Sequence, residues 1–402
     1  MIKDPLRIGK EVLSIMKQAN YEAYFVGGCV RDMLLGKELT DIDITTNATP
    51  DQIMELFQTV IPIGIDHGTV LVRYKKISFE ITTYRTEGTY TDHRRPDEVK
   101  FVRNLEEDVK RRDFTINAIA MDEEEKVIDL LDGRADLEQK LIRSVGDPAE
   151  RFLEDPLRIV RALRFSSQLG FSIEEETFKQ MIKLKEHLQY IAVERITEEM
   201  RKLFSGRFVQ QGLFYLKESK IYEHLPIFKE DPTLIHLLPK DLIPLFSFSD
   251  VIALFTLLDR KQSISTWVKK WKESRATMRE AKTLVQAVKT YNKEGLSPLL
   301  VFNLPKELFT RFVTLTNLLV EEQLTIDEVE EVYKNLIIKT PQQLAITGAD
   351  LIELFPEERP GKWIEQLLSN LTKKVLLKEL SNDRNELKEW AKCNFPNKTK
   401  EN

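Results

Sequence analysis

From about Tyr24 to Arg143 apolar residues come in short alternating or β-branched runs: AYFVGG, DIDITT, GTVLVRY, SFEITTY, VKFV and KVIDLL. A period of two, closed by turn residues, predicts β-strands. Helical spacing falls between them over Pro50–Phe57, where Thr49 can cap and Pro50 occupies the first turn, and over Leu105–Met121. The first unit is therefore α/β. Beyond Asp147 the period changes, with Leu157, Val160, Leu163 and Phe165, then Met200, Leu203 and Phe204, lying mostly three or four apart. The remainder is predicted all-α. Seams are expected at Gly146-Asp147-Pro148, at Ser205-Gly206 and near Thr340-Pro341, with Pro360-Gly361 inside the last helical segment.

A chain of 402 residues, 42% hydrophobic and 31% charged, has the length for two to four packed units and excludes collagen-like, low-complexity and fibrous classes. Its two cysteines, Cys29 and Cys393, provide neither a disulfide framework nor a paired zinc spacing, which fits a reducing cytosol. The opening MIKDPLRIGKEVLSIMKQ lacks the apolar core of a secretion signal, and the most apolar stretch, Leu242–Leu258, is broken by Pro244 and Asp250. A cytoplasmic protein with no membrane partner is expected. The net charge of -5 argues against a uniformly basic surface. The tract Arg260, Lys261, Lys269, Lys270, Lys272, Arg275, Arg279 and Lys282, with Trp267 and Trp271 interleaved, is either a phosphate-binding face or a solvated helix surface with its tryptophans in the core.

Asp41 and Asp43 flank Ile42. In a strand, residues i and i+2 share a face, so both carboxylates project together while Ile42 turns inward. Two like charges forced close favour a cation between them, and hard oxygen ligands suit Mg2+, which keeps waters and phosphate oxygens in its other positions. Upstream, Phe25-Val26-Gly27-Gly28-Cys29-Val30-Arg31-Asp32 runs from an apolar strand through two glycines into a helix-like MLLG. That is the geometry of a phosphate loop: glycines admit a ligand close to the backbone, N–H groups face anionic oxygens, and Arg31 adds charge. The alternative is a plain strand-to-helix turn in which Arg31 pairs with Asp32. Together the two features place triphosphate and metal at one sheet edge, as nucleotidyl transfer requires. Glu80, in SFEITTY, is a candidate third carboxylate or a glutamate facing water.

GGCVRD followed by DID resembles the nucleotidyltransferase superfamily that includes DNA polymerase beta. RRDFTINAIA (Arg111 to Ala120), DLLDGRADLEQKLIR (Asp129 to Arg143), EDPLRIVRALRF (Glu154 to Phe165) and ERITEEMRKLF (Glu194 to Phe204) follow in the order of bacterial CCA-adding tRNA nucleotidyltransferases of the second class. ITGADLIELF and RPGKWIEQLL resemble that family's tail. The resemblance implies an α/β head with a small nucleotidyltransferase sheet over 1–147, then an all-α neck over 148–205, body over 206–339 and tail over 340–402. It implies tRNA, CTP and ATP as partners, Mg2+ as cofactor, and Asp41 and Asp43 as catalytic metal ligands. Gly27, Gly28, Arg31, Arg112, Asp155, Arg158, Arg161 and Arg164 match the family's nucleotide-binding positions, while Arg111, Asp113 and Asn117 resemble the element that contacts the ribose.

The EDPLR segment also reads on its own chemistry. On a continuous helix Glu154, Asp155 and Arg158 lie at i, i+1 and i+4, with Asp155 and Arg158 sharing a face. Cytosine and adenine each show an exocyclic amine beside an unprotonated ring nitrogen, matching a carboxylate acceptor and a guanidinium donor; uracil and guanine show a carbonyl beside a ring N–H. One protein pair can thereby select C and A without a template, or the segment is simply a helix ion pair. Arg158, Arg161 and Arg164 recur every three residues, as a strip for phosphate or as an outer face paired with acids such as Glu174 to Glu176. Arg85 to Pro96 is polar and resembles the family's flexible loop. Two competing functions share these features: a bacterial poly(A) polymerase and a catalytically silent RNA-binding protein.

Overall fold

The computed structural model of the chain describes residues 5–39, 41–65, 68–87, 99–102, 104–259, 261–320 and 323–395. It divides into two compact units, Met1–Ser247 with Lys269–Glu273, and Phe248–Val268 with Ser274–Asn402. The first opens with helix α1 (Pro5–Gln18), which buries Ile8, Val12, Leu13 and Met16, and with strand β1 (Ala23–Val26). Helix α2 (Gly28–Leu34) leaves β1 directly through Gly27. Strand β2 (Asp43–Thr46) and helix α3 (Pro50–Leu56) follow; Thr49 and Gln52 close a reciprocal capping box around Pro50, which is why that helix begins where the sequence predicts.

Strands β3 (Val60–Gly64), β4 (Thr69–Tyr74) and β5 (Ile77–Thr83) come next, then a small ribbon of β6 (Arg85–Glu87) and β7 (Val99–Phe101), helix α4 (Leu105–Lys110), and strands β8 (Ile119–Met121) and β9 (Val127–Asp129). Among the described residues the main sheet has seven strands in the order β3-β4-β5-β2-β1-β8-β9. Every neighbouring pair is antiparallel except β2 and β5, because the chain passes through α3 and the β3–β4 pair before returning beside β2. That parallel pairing sets Glu80 opposite Asp43.

The helix expected over Leu105–Met121 stops at Lys110. Phe114 is extended (φ -132) and bridges Ser144, Thr115–Asn117 makes one tight turn, and Ile119–Met121 becomes β8 beside β1. The run Ala118–Met121 is buried on every side, so it carries no polar face to distinguish a helix from a central strand.

Helix α5 (Gly133–Glu138) and strand β10 (Leu141–Ile142) lead to helix α6 (Pro148–Glu154), whose first turn is capped by Asp147 accepting from the Ala149 and Glu150 N–H groups. The predicted seam at Gly146-Asp147-Pro148 is this cap. Helix α7 (Leu157–Leu169) does not continue α6, contrary to the single helix expected through Glu154 and Arg158. Asp155 is extended (φ -138, ψ 94), because Pro156 disfavours helical backbone in the residue before it, and its carboxylate accepts the Leu157 N–H at 3.1 Å. Strand β11 (Ser172–Ile173) and helices α8 (Glu175–Leu184), α9 (Val193–Phe204) and α10 (Val209–Ser219) complete the cover over α7. The Ser205-Gly206 step is a tight contact and not a loose linker: a Cβ on Gly206 would lie 2.1 Å from Ser167 Oγ.

The second unit is helical. The apolar stretch before Leu258 forms the buried helix Phe248–Leu258, and Arg311 donates to the buried Asp250 at 2.7 Å. Among the described residues no helix is long and apolar enough to cross a membrane. Trp267 and Trp271 are each 1% exposed, so both serve as core within their own units, Trp267 stacked on Phe255 and Trp271 against Phe228. The basic tract around them is a solvated surface; its first member, Arg260, lies outside the described residues.

Candidate active site

The turn from β1 into α2 forms one wall of a cavity of about 510 Å³. Gly27 sits at φ 78 and ψ -133, a conformation that L side chains rarely adopt, and a Cβ there would lie 3.0 Å from Arg112 Nη1 and 3.9 Å from Asp43 Oδ2. At Gly28 the nearest atom to such a Cβ is Arg31 Nη2 at 3.6 Å, ordinary contact. Of the two glycines, only Gly27 is demanded by its surroundings. Cys29 fills apolar space; burial pushes its thiol up to about 11, so it offers no nucleophile.

Asp41 and Asp43 both line this cavity, while Ile42 between them is 4% exposed. The alternation read from DID therefore holds, even though Asp41 precedes the first residue of β2. Burial pushes the Asp43 carboxyl up to about 6, and the charges of Glu80 and Asp41 add to that, against the opposing charge of Arg112. Glu80 thus faces Asp43 from β5, which is an interior strand; its own side chain is exposed and does not line the cavity. Among the described residues no three His, Cys, Asp or Glu side chains form a metal cluster by themselves. The fit for Mg2+ is of another kind: two hard-oxygen ligands under mutual repulsion, open to a cavity in which phosphate oxygens and water would complete the coordination.

The opposite wall is cationic and cross-linked. Arg31, 9% exposed, donates to Asn117 Oδ1 at 2.7 Å, and Asn117 Nδ2 donates to Asp113 Oδ1 at 3.1 Å. Asp113 accepts from Arg161 through Nε at 2.8 Å and Nη2 at 2.6 Å. Burial alone would raise the Asp113 carboxyl, but the Arg161 charge and these hydrogen bonds outweigh it and hold it far below the usual carboxylate range. Arg161 Nη1 and Arg164 Nε lie 3.5 and 3.3 Å from the carboxylate of Glu199 on α9. Burial, reinforced by the neighbouring Arg161 charge, brings Arg164 down to about 10. Arg112 completes the wall. Its Nη2 reaches Asp108 at 3.2 Å, while Arg111 donates to the other Asp108 oxygen at 2.7 Å. Asp108, 0% exposed, also accepts from Thr45 Oγ1 of β2 at 3.1 Å.

Gly27, Gly28, Arg31, Asp41, Asp43, Arg112, Asp113, Asn117, Arg161 and Arg164 accordingly share one cavity, a convergence of residues far apart in the chain. Arg31 also chelates Asp32 at 2.9 and 3.0 Å, so the surface pair considered from sequence exists alongside its place in the wall. Asn117 bridges two site residues and caps no helix. Arg158 does not join Arg161 and Arg164, because each step of three residues turns a helix back by about 60° and the two ends of the strip diverge by about 120°. It donates instead to Glu154 at 2.9 Å and to the Arg111 carbonyl at 2.8 Å. Asp155 is held by Arg195, with Nη2 at 2.8 Å and Nη1 at 3.3 Å. Asp155, Arg158, Glu154 and Arg111 all stand outside the lining. Glu174 pairs with Arg143, not with the arginines of α7.

Sequence reasoning missed Asp108, Phe165, Gln168, Glu199 and Lys202. Glu199 and Lys202 lie in ERITEEMRKLF, where acid and base two or three apart look like any helix surface; only the burial of Glu199 beneath two arginines marks it. Of the polar loop through Pro96, residues 88–96 lie outside the described residues.

Three family models match: a poly A polymerase head domain over residues 23–143, a probable RNA and SrmB-binding site of polymerase A over 170–231, and a putative tRNA nucleotidyltransferase domain 2 over 247–391. The CCA-adding enzyme of Oceanobacillus iheyensis is 45% identical, the match covering 98% of this chain and 99% of that one. The CCA-adding enzyme of Bacillus subtilis is 38% identical, with coverages of 95% and 96%. A solved structure of the Bacillus stearothermophilus CCA-adding enzyme in complex with CTP superposes with a TM-score of 0.86 at 33% identity, covering 97% of each chain.

Proposed function

The chain belongs to the CCA-adding enzymes, and from that membership we propose that it adds C, C and A to the 3′ end of tRNA from CTP and ATP, without a template. The observation that carries this reading is the cavity that sets Asp41 and Asp43 across from Arg31, Arg112, Arg161 and Arg164. In each cycle the terminal hydroxyl oxygen of the RNA attacks the α-phosphorus, the bond to the bridging oxygen breaks, and pyrophosphate leaves. The four guanidiniums hold the triphosphate and stabilise charge building on the leaving group, with the Gly27–Gly28 backbone against the phosphates. Held by Asp41 and Asp43, a pair of Mg2+ ions supplies a lowered pKa for the attacking hydroxyl and neutralisation of pyrophosphate.

Base choice falls to Asp155 and Arg158. Since Arg195 and Glu154 occupy these side chains, a cytosine or adenine edge has to exchange with those partners, and uracil or guanine would leave acceptor against acceptor, at about 1–3 kcal/mol per unpaired group. Asp113 and Asn117, with Arg111 behind them, are placed for the ribose. The division into head (1–147), neck (148–205), body (206–339) and tail (340–402) follows the same reading, with the helical parts holding tRNA through phosphates and 2′-hydroxyls.

The test is incorporation of labelled CTP and ATP into tRNA lacking its end, with the product sequenced. Long adenylate tails without C identify a poly(A) polymerase instead, a reading favoured only by the description of the matching head model. Asp41→Ala should abolish incorporation and leave tRNA binding intact; retained activity refutes the metal role, and a wild-type chain that binds tRNA without incorporation is the silent RNA-binding protein.

A further inference from the structure

Phe165 is 3% exposed, lines the cavity, and has three guanidiniums around one ring: Arg164 at 3.9 Å from the centroid, Arg31 at 5.3 Å and Arg161 at 5.4 Å. Phe114 steadies that ring edge-on at 5.7 Å. Cations so close together repel one another, and the carboxylates that could offset them are limited: Asp113 chelates Arg161, Asp32 chelates Arg31, and Glu199 is shared by Arg161 and Arg164. Within this group Arg164 has no salt-bridge partner but Glu199, whose Oε2 lacks a well-aligned hydrogen bond. An aromatic face attracts cations through its quadrupole and carries no net charge. A further carboxylate in that position would also gather the arginines, but it would cancel the positive potential that a triphosphate needs.

We infer that Phe165 is a positioning residue of the nucleotide site, an uncharged hub that holds Arg31, Arg161 and Arg164 together for the triphosphate without neutralising them. The inference rests on the reading of the cavity as a nucleoside triphosphate site. The ring acts on cations that hold phosphate, not base, so its effect must be the same for CTP and ATP. It must also follow the electron density of the ring, not only its volume.

The experiment replaces Phe165 in the full chain with mono-, tri- and pentafluorophenylalanine by nonsense suppression. This series drains the quadrupole stepwise at nearly constant shape. Dissociation constants for CTP and ATP are measured calorimetrically, beside KM and kcat for incorporation. The expected result is a stepwise weakening that reaches roughly tenfold at the pentafluoro ring, equal for both nucleotides, appearing in KM with kcat changed by less than about twofold. Phe165→Trp, with a stronger quadrupole, should bind CTP better than Phe165→Leu, which loses it altogether. A dissociation constant that stays flat along the fluorinated series, or that moves for one nucleotide and not the other, overturns the hub. If the series behaves as expected but no C or A is added to tRNA, the hub stands and the proposed reaction falls; normal addition with a flat series is the reverse.

Discussion

Replacing Gly27 by alanine tests whether the turn at the end of β1 is built for a ligand or only for a change of direction. At φ 78 and ψ -133 an alanine is strained by about 1–3 kcal/mol. Its Cβ would also stand 3.0 Å from Arg112 Nη1, and Arg112 cannot swing away freely because Nη2 is held by the buried Asp108 at 3.2 Å. Loosening that charge-assisted contact costs up to about 1.5–3 kcal/mol more. A total near 2–4 kcal/mol, at about 2–4 °C per kcal/mol for a unit of this size, lowers the melting temperature by roughly 5–15 °C. With Arg112 displaced, kcat/KM for CTP incorporation should fall on the order of 100-fold, since about 2.7 kcal/mol of lost stabilisation corresponds to that factor. Gly28→Ala is the control: it starts a helix, and its Cβ meets only Arg31 Nη2 at 3.6 Å. Its melting temperature should stay within about 2 °C of the parent, alanine being the better helix former. Equal melting temperatures and equal incorporation for the two variants would refute the argument.

Asp43 should give the metal-free protein a distinctive acid profile. Its folded value of about 6 lies above the ordinary 3.8, so its contribution is fully present below about pH 4 and is lost as pH rises through 6, by about 2–3 kcal/mol. Melting curves in EDTA should show that loss, and both Mg2+ and Asp43→Asn should flatten it; an identical pH profile with and without Mg2+ would count against metal binding there. Asp113 works in the opposite sense: its folded value is depressed, so its contribution is complete above about pH 4 and disappears as pH falls further. Asp113→Asn should lower stability at pH 7 by about 3–5 kcal/mol, less whatever Glu199 recovers for Arg161, with a shallower acid limb; chemical denaturation checks both. Asp155→Ala and Arg158→Ala should each admit UTP and GTP into the product, and unchanged discrimination would remove the pair from base choice.

The strands around DID and FVGG were legible because alternation and glycine punctuation are local signals. The convergence of Asp41, Asp43, Arg31, Arg112, Arg161 and Arg164 on one cavity matched residues whose order resembled a known family; spacing alone could not have joined β2 to α7. Two failures have local causes. Ala118–Met121 is apolar all round, so period could not separate strand from helix. In EDPLR, Pro156 outweighed the i, i+4 pattern by turning Asp155 out of the helix, and the side chains found other partners. Glu199 and Asp108 were invisible for a different reason: a buried acid beneath arginines has the same letters as a surface ion pair, and only three-dimensional packing distinguishes them.

Asp108 grips Arg112 with one oxygen, Arg111 with the other, and Thr45 of the strand that begins at Asp43. A single interior anion therefore sets the spacing between the side that receives phosphate and the side that receives metal. The enzyme need not assemble that gap when a nucleotide arrives; it is machined in during folding, and successive nucleotides of different size meet the same fixed gauge.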